Sequence, residues 1–110
     1  MKLSKGDVVI IPVPFTDNVR HKMRPAVVIS NDVVHSTGDV LIVQITSMQK
    51  HDGLSMELTP DDLTINLPIK SYIRFHKIFI LEKKLIKVVV SKLSKTAYGM
   101  LVQNIVSTIK

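Results

Sequence analysis

The sequence predicts a mainly β protein: a small, strongly curved antiparallel sheet or barrel of five to seven short strands, followed by one C-terminal α-helix. Short runs rich in Val and Ile alternate with polar segments along most of the 110 residues. Only the last segment has apolar residues at the three- and four-residue spacing of an amphipathic helix. Because no linker, repeat or low-complexity segment interrupts this pattern, we expect one domain over residues 1–110.

Three β-branched runs in the first half predict strands at Asp7–Val13, Pro25–Ser30 and Val40–Ile45. The first contains Pro12 and is followed by Pro14, so it is expected to end at a sheet edge. The second is apolar almost throughout and is expected to be buried on both faces. Loops or turns are expected in the polar segments 15–23, 31–39 and 46–53.

The second half predicts shorter elements. Strands are expected at Met56–Leu58, Ser71–Phe75, Ile78–Leu81 and Leu85–Leu93, with an interruption at His76 and Lys77. Thr59 can cap a helical turn that begins at Pro60. The C-terminal helix is capped by Ser94. Its predicted apolar face consists of Ala97, Tyr98, Leu101, Val102, Ile105, Val106 and Ile109.

Composition excludes several kinds of chemistry. The chain has no cysteine, which excludes disulfides, thiolate zinc sites and cysteine nucleophiles. It has no glycine-rich phosphate loop and no HExxH motif, and its four histidines follow no ligand spacing, so we expect neither a metal nor a cofactor. His21, His35 and His51 are expected to be solvated loop residues. No apolar run approaches the about 20 residues of a membrane span, which favours a cytoplasmic protein.

Charge is distributed unevenly along the chain. The net charge is +6, but the first 60 residues carry six basic and six acidic side chains. The excess therefore lies in residues 61–110, where nine basic side chains stand against three acidic ones. This excess of positive charge in the second half favours a polyanionic partner, either a nucleic acid or an acidic protein segment. The alternative is a surface that only keeps the protein in solution.

Two positions at predicted strand ends suit phosphate binding. Arg24 precedes Pro25, which favours extended backbone and anchors the guanidinium at the start of a buried strand. A guanidinium held in this way can bind a phosphate with two parallel hydrogen bonds. The alternatives are that Arg24 caps the strand or pairs with Asp17. The hydroxyls of Thr46 and Ser47 can orient a phosphate or cap a turn.

Arg74 and His76 are two residues apart on a predicted strand. Strand alternation places them on one face with Tyr72, while Ile73 and Phe75 point into the core. An imidazole beside a fixed cation can exchange protons near neutral pH. The alternative is an ordinary solvated strand face.

Four segments resemble the PemK/MazF family of type II toxins, in the order and approximate spacing of that family. These segments are GDVVIIPVPFTD (Gly6 to Asp17), RPAVVIS (Arg24 to Ser30), IVQITS (Ile42 to Ser47) and SYIRFHKIFILEKKLI (Ser71 to Ile86). The resemblance implies an SH3-like β-barrel with a C-terminal helix and a symmetric homodimer. It also implies metal-independent cleavage of single-stranded mRNA, and inhibition by a cognate antitoxin whose flexible acidic tail covers the RNA site.

Carried over by position, the resemblance makes Arg24, Thr46 and Arg74 site residues. Many relatives have an aspartate in an R-x-D arrangement where this chain has His76, which implies either a retuned nuclease or a member with weakened or lost activity. Our hypothesis assigns charge stabilisation to the two arginines, phosphate positioning to Thr46 and proton transfer to His76. RNA binding is assigned to Arg20, Lys22, Ser47 and Lys77.

Two other functions fit the same sequence. A non-catalytic toxin of related fold would inhibit DNA gyrase, and it would need Arg24 only as a structural residue. A basic SH3-like module would bind RNA or an acidic peptide without reaction, and it would need only the barrel and the positive charge.

Overall fold

The structure is a computed structural model that describes residues 2–14 and 21–110, with backbone alone for Pro14 and His21. Its strands are β1 (Asp7–Pro14), β2 (His21–Val28), β3 (Asp39–Thr46), β4 (Ser55–Leu58), β5 (Ser71–Glu82) and β6 (Val88–Lys92). Its helices are α1 (Asp32–His35) and α2 (Lys95–Ser107), with 3-10 turns at Pro60–Asp62 and Lys83–Leu85. The strands are antiparallel and form one sheet in the order β4-β5-β3-β2-β1-β6.

The two edge strands of the sheet, β4 and β6, are joined through the segment that follows β4. Leu63 forms an isolated β-bridge with Leu93, next to the end of β6. The hydroxyl of Ser91 donates to the carbonyl of Ile65 at 2.7 Å and accepts its N–H at 3.0 Å. These contacts curl the sheet into a half-barrel, and the predicted small, curved β architecture is confirmed.

Both faces of the central strands are buried, as predicted for the second apolar run. Ala26, Val27 and Val28 on β2 are all fully buried. Val27 belongs to the core beneath α2, whereas Ala26 and Val28 belong to a second core that includes Leu3. The alternation of a strand therefore divides one apolar run between two cores.

The C-terminal helix begins where the sequence predicts. Ser94 Oγ accepts the backbone N–H of Ala97 at 3.1 Å, which caps the first turn. Ala97 and Leu101 are buried against the sheet, while Val102 is exposed, so the buried face is narrower than the apolar periodicity suggests. Within residues 2–14 and 21–110, no helix is long and apolar enough to cross a membrane.

The first hairpin is longer than predicted. β2 begins at His21, inside the segment expected to be a loop, because His21–Met23 pair with Pro12–Pro14 of β1. β1 pairs with β6 only from Asp7 to Ile10, so its two later prolines lie beyond that ladder. This agrees with the expectation that the first strand ends at an edge.

His35 is a correction to the sequence prediction. It lies on α1 and is buried, 7% exposed, rather than solvated. The polar segment 31–39 folds into a short helix because the side chain of Asn31 accepts the N–H groups of Val33 and Val34. That helix turns His35 inward toward Ser30. His51 is exposed, as predicted, and the side chain of His21 lies outside the description.

The two strands predicted around His76 form one strand, β5, whose pairing with β3 is interrupted. Ile73 pairs with Ile45 and Ile78 pairs with Val43, so residues 74–77 lie opposite Gln44 alone. A bulge of this kind breaks the alternation of faces. Arg74 is consequently buried and His76 exposed, and Tyr72, expected on their polar face, is buried as well.

Candidate active site

An open polar pocket of about 570 Å³ lies where β2, β3 and β5 meet the loop after β3, which comprises residues 47–54. Six of the residues predicted from the sequence line it: Lys22, Arg24, Thr46, Ser47, Arg74 and Lys77. Four further lining residues were not predicted: Gln44, Met48, Lys50 and Asp52. Residues far apart in sequence therefore converge in one site.

Strand register explains this convergence. In the antiparallel ladder of β2 and β3, Ala26 pairs with Gln44. Arg24 on β2 and Thr46 on β3 each lie two residues beyond this last pair of the ladder, so both emerge at the same end of the two strands. Thr46 also pairs with Tyr72 on β5, which brings the start of β5 to the same edge. Because β3 lies between β2 and β5, Thr46 lies on the strand between those that carry Arg24 and Arg74, and all three residues line the same pocket.

Arg74 is held firmly inside this pocket. It is 7% exposed, and its Nη1 and Nη2 donate to Oδ1 and Oδ2 of Asp52, each at 2.8 Å. Nη1 also donates to Ser55 Oγ at 2.9 Å. The hydrogen bond from Arg74 holds the pKa of Asp52 well below its usual value, and the same bond raises the pKa of Arg74. Both groups are therefore charged throughout the physiological pH range.

The Thr46 hydroxyl has one role in the fold, and no acceptor for its proton lies among residues 2–13 and 22–110. Its Oγ1 accepts the backbone N–H of Met48 at 3.1 Å, which is the turn capping considered from sequence. A hydroxyl that accepts one hydrogen bond keeps its own proton to donate. Thr46 can therefore cap the loop and still donate to a phosphate oxygen in the pocket.

Arg24 is half-buried and lines the pocket from β2, where Pro25 follows it. Asp17, its alternative partner, lies outside the described residues, as does Arg20, one of the predicted RNA-binding residues. His76 is exposed and does not line the pocket, although its neighbour Lys77 does. The structure thus brings Arg24, Thr46 and Arg74 together and leaves His76 outside this group.

The pocket concentrates positive charge from both halves of the chain. Lys22, Arg24 and Lys50 come from the first 60 residues, and Arg74 and Lys77 come from the second half. Asp52 is the one acidic side chain among the described lining residues, and it is paired with Arg74. The apparent neutrality of the first half hides this arrangement, because most of its acids lie elsewhere. An open cationic pocket of this kind suits a phosphodiester ligand.

The polar character of segment 46–53 predicts a loop but does not distinguish Lys50 and Asp52 as site residues. One signal was present: His76 stands where an aspartate would supply negative charge, so a buried Arg74 requires a carboxylate from another part of the chain. Across residues 2–14 and 21–110, no group of three or more His, Asp or Glu side chains is placed to hold a metal ion.

Comparisons with known proteins agree with this fold. A comparison with curated protein sequences returned no significant match. Among solved structures, an endoribonuclease in complex with its cognate antitoxin from a mycobacterial species superposes with a TM-score of 0.78 at 16% identity, covering 98% of this chain and 95% of that one. A MazE–MazF complex from Deinococcus radiodurans superposes with a TM-score of 0.78 at 16% identity, covering 97% of this chain and 95% of that one.

The toxin MazF-mt6 from Mycobacterium tuberculosis superposes with a TM-score of 0.74 at 14% identity, covering 94% of this chain and 95% of that one. At such identities these likenesses show the fold alone. The family model for the PemK-like, MazF-like toxin of type II toxin–antitoxin systems matches residues 4–108, which is nearly the whole chain. The chain therefore belongs to the PemK-like, MazF-like family of type II toxins.

Proposed function

We propose that this protein is an endoribonuclease that cleaves single-stranded mRNA by attack of a ribose 2′-hydroxyl, without a metal ion. The observation that carries the proposal is the convergence of Arg24, Thr46 and Arg74 on one open cationic pocket. Endoribonucleases are among the solved structures that share this fold. The sequence match to the toxin family covers the strands that supply all three residues.

The reaction requires four events at one phosphodiester. The 2′-hydroxyl loses its proton, its oxygen attacks the adjacent phosphorus, negative charge develops on the phosphoryl oxygens, and the 5′-oxygen leaves with a proton. The products are a 2′,3′-cyclic phosphate and a free 5′-hydroxyl. Fixed hydrogen-bond donors aimed at the developing charge supply several kcal/mol in such reactions. We assign this role to the guanidinium groups of Arg24 and Arg74, and we assign positioning of the phosphate to the Thr46 hydroxyl.

Proton transfer requires a side chain that can both accept and donate a proton. We assign it to His76, since an imidazole can accept and donate protons near neutral pH. His76 is exposed and lies next to Lys77, a residue of the pocket. Its position outside the lining makes His76→Ala the most informative single variant for this step.

The test is incubation of the purified protein with a long single-stranded RNA in EDTA. We expect cleavage by the wild type and products ending in a 2′,3′-cyclic phosphate, and no cleavage of the same sequence made as DNA. Arg24→Ala is expected to reduce the rate by a factor of about 100 or more. Lys87→Ala is the matched control, because Lys87 is an exposed cation that does not line the pocket.

Other outcomes would change either the proposed mechanism or the proposed function. Unchanged cleavage by His76→Ala would remove that residue from the mechanism. Tight RNA binding with intact RNA recovered would support a binding module instead of an enzyme. Inhibition of DNA gyrase supercoiling without RNA cleavage would support the gyrase-directed alternative.

We further propose that the protein acts in the cytoplasm as a homodimer that a cognate antitoxin inhibits. Solved structures of similar fold include toxins bound to a cognate antitoxin. The cationic pocket suits an acidic antitoxin tail as well as RNA. Exposed apolar side chains such as Ile80, 66% exposed, and Ile69, 64% exposed, provide surface for a second copy. Sedimentation at micromolar concentration tests this, and a monomer there would contradict it.

A further inference from the structure

We propose that Asp52, together with Ser55, positions Arg74 for catalysis, so that the guanidinium presents one fixed edge to the substrate phosphate. Asp52 is then a positioning residue, acting through Arg74, and is not itself in contact with RNA. The inference rests on the proposed function and adds the loop after β3 to the site. It identifies a loop carboxylate, 22 residues before Arg74, as the group that holds the arginine.

The hydrogen bonds of Arg74 leave one edge of the guanidinium for a ligand. A guanidinium has five N–H groups in a fixed plane. Asp52 accepts one N–H of Nη1 and one N–H of Nη2, and Ser55 accepts the second N–H of Nη1. Within the described part of the chain, Nε–H and the second N–H of Nη2 have no acceptor, and these two point along the same edge of the plane. They form a second two-point donor of the kind that binds phosphate.

The loop is built to hold the Asp52 carboxylate in place. Oδ1 of Asp52 also accepts the backbone N–H of Leu54 at 3.1 Å, which fixes the side chain within a tight turn. Gly53 takes a positive φ of 78° in that turn. Ser55, one residue beyond Leu54, lies directly opposite Arg74 in the β4–β5 ladder. Both partners of Arg74 are therefore set by backbone geometry.

The exposure of the pair favours positioning over direct substrate binding. The Arg74 side chain is 9% exposed, whereas the Asp52 side chain is 45% exposed and carries a negative charge at the pocket surface. A carboxylate repels RNA phosphate, so its presence weakens the attraction of the pocket for RNA. Its benefit lies in orientation: a long arginine side chain held at two points keeps one geometry through the reaction. His76 has no permanent negative charge with which to replace it.

We expect Asp52→Asn to lower turnover without weakening the binding of RNA. The variant removes a negative charge from the pocket, so KM for RNA should fall or stay the same. It also removes the carboxylate that fixes the orientation of the Arg74 guanidinium, so kcat should fall by a factor of about ten or more. Asp52→Glu keeps the charge and should recover part of kcat. Ser55→Ala removes one of three hydrogen bonds and should give a smaller loss.

Glu57→Gln is a matched control. The Glu57 side chain is 46% exposed and pairs with Lys70 at 3.5 Å, but it does not line the pocket. Its kcat and KM should equal those of the wild type. Circular dichroism of each variant before the assay confirms that the fold is retained.

A second readout does not depend on catalysis. In ¹⁵N-labelled protein, the Nη–H signals of Arg74 should be separate and slowly exchanging in the wild type and in Glu57→Gln, and should merge in Asp52→Asn. Unchanged signals in Asp52→Asn would overturn the inference even if the protein cleaves no RNA. A raised KM with unchanged kcat would overturn it in an active enzyme. Absence of cleavage by the wild type would instead overturn the proposed function, while the Arg74 signals would still decide the positioning role.

Discussion

The hydroxyl of Ser30 lies 2.8 Å from Nε2 of His35, and both side chains are buried. The Ser30 oxygen also accepts the backbone N–H of Leu41 on β3 at 3.0 Å. Asp32 is 4.0 Å from the other ring nitrogen, beyond hydrogen-bond distance, and it is largely exposed. This group resembles a Ser-His-Asp arrangement only in composition. Ser30 is 3% exposed, so no substrate reaches its oxygen, and the group connects α1 to the sheet.

Ser30→Ala should therefore destabilise the fold without affecting the site. The variant leaves the Leu41 N–H and His35 Nε2 buried and unpaired, which costs about 1–3 kcal/mol. Urea unfolding measures the loss, and cleavage per folded molecule should stay at the wild-type value. Ser36→Ala is the control, because that hydroxyl bonds the carbonyl of Val33 at an exposed position, and its effect should stay within about 0.5 kcal/mol. Equal stability of the two variants would contradict this role for Ser30.

Local patterns predicted most of the fold because they report local physics. The apolar run at Ala26–Val28 identifies a buried strand without knowledge of the elements that pack on it. The helical spacing of Ala97 and Leu101 identifies the buried face of a helix in the same way. Likewise Ser94 identifies a helix start, since a cap bonds an N–H only three residues away. Such features depend on neighbours in sequence, so one sequence suffices to find them.

Features that depend on distant partners were not predictable in the same way. The pairing of Arg74 with Asp52 joins residues 22 positions apart and depends on where the loop after β3 folds back. The bulge in β5 depends on the register with β3, and it separates Arg74 from His76 in a manner that strict alternation does not anticipate. His35 became buried because a four-residue helix turned it inward. In each case tertiary geometry decided the environment of the side chain.

The ion pair between Asp52 and Arg74 should make stability depend on acid. Because the pKa of Asp52 is lowered in the folded state, the pair stabilises the fold above the usual value of 3.8 and loses this effect as the pH falls below it. The difference in unfolding free energy between the wild type and Asp52→Asn should be fully present at pH 7 and shrink as the pH falls below that value. Urea unfolding across this range measures it. A difference that stays constant with pH would show that the charge of Asp52 contributes nothing.

Packing of α2 on the sheet should account for a large share of stability. Leu101 is fully buried in the core beneath the helix, whereas its neighbour Val102 is 39% exposed. Leu101→Ala removes buried methyl groups and leaves a cavity, which costs about 2–5 kcal/mol. Val102→Ala is expected to cost less than about 1 kcal/mol, since the Val102 side chain is partly in water and belongs to neither buried core. Thermal or urea unfolding of both variants tests the contrast, and similar losses would contradict the observed docking of the helix.

The charge of the pocket should be visible in the salt dependence of RNA binding. Lys50 and Lys77 line the pocket with exposed side chains, and Lys87 is equally exposed but lies outside it. Each phosphate contact on a single strand contributes a slope of about 0.7 to the fall of log K with log salt concentration. Lys50→Ala and Lys77→Ala should each lower that slope by about this amount, and Lys87→Ala should leave it unchanged. A non-cleavable 2′-O-methyl RNA allows the measurement without turnover. An equal loss of slope in all three variants would mean that RNA responds to the overall positive charge of the protein, with no preference for the pocket that joins Arg24, Thr46 and Arg74.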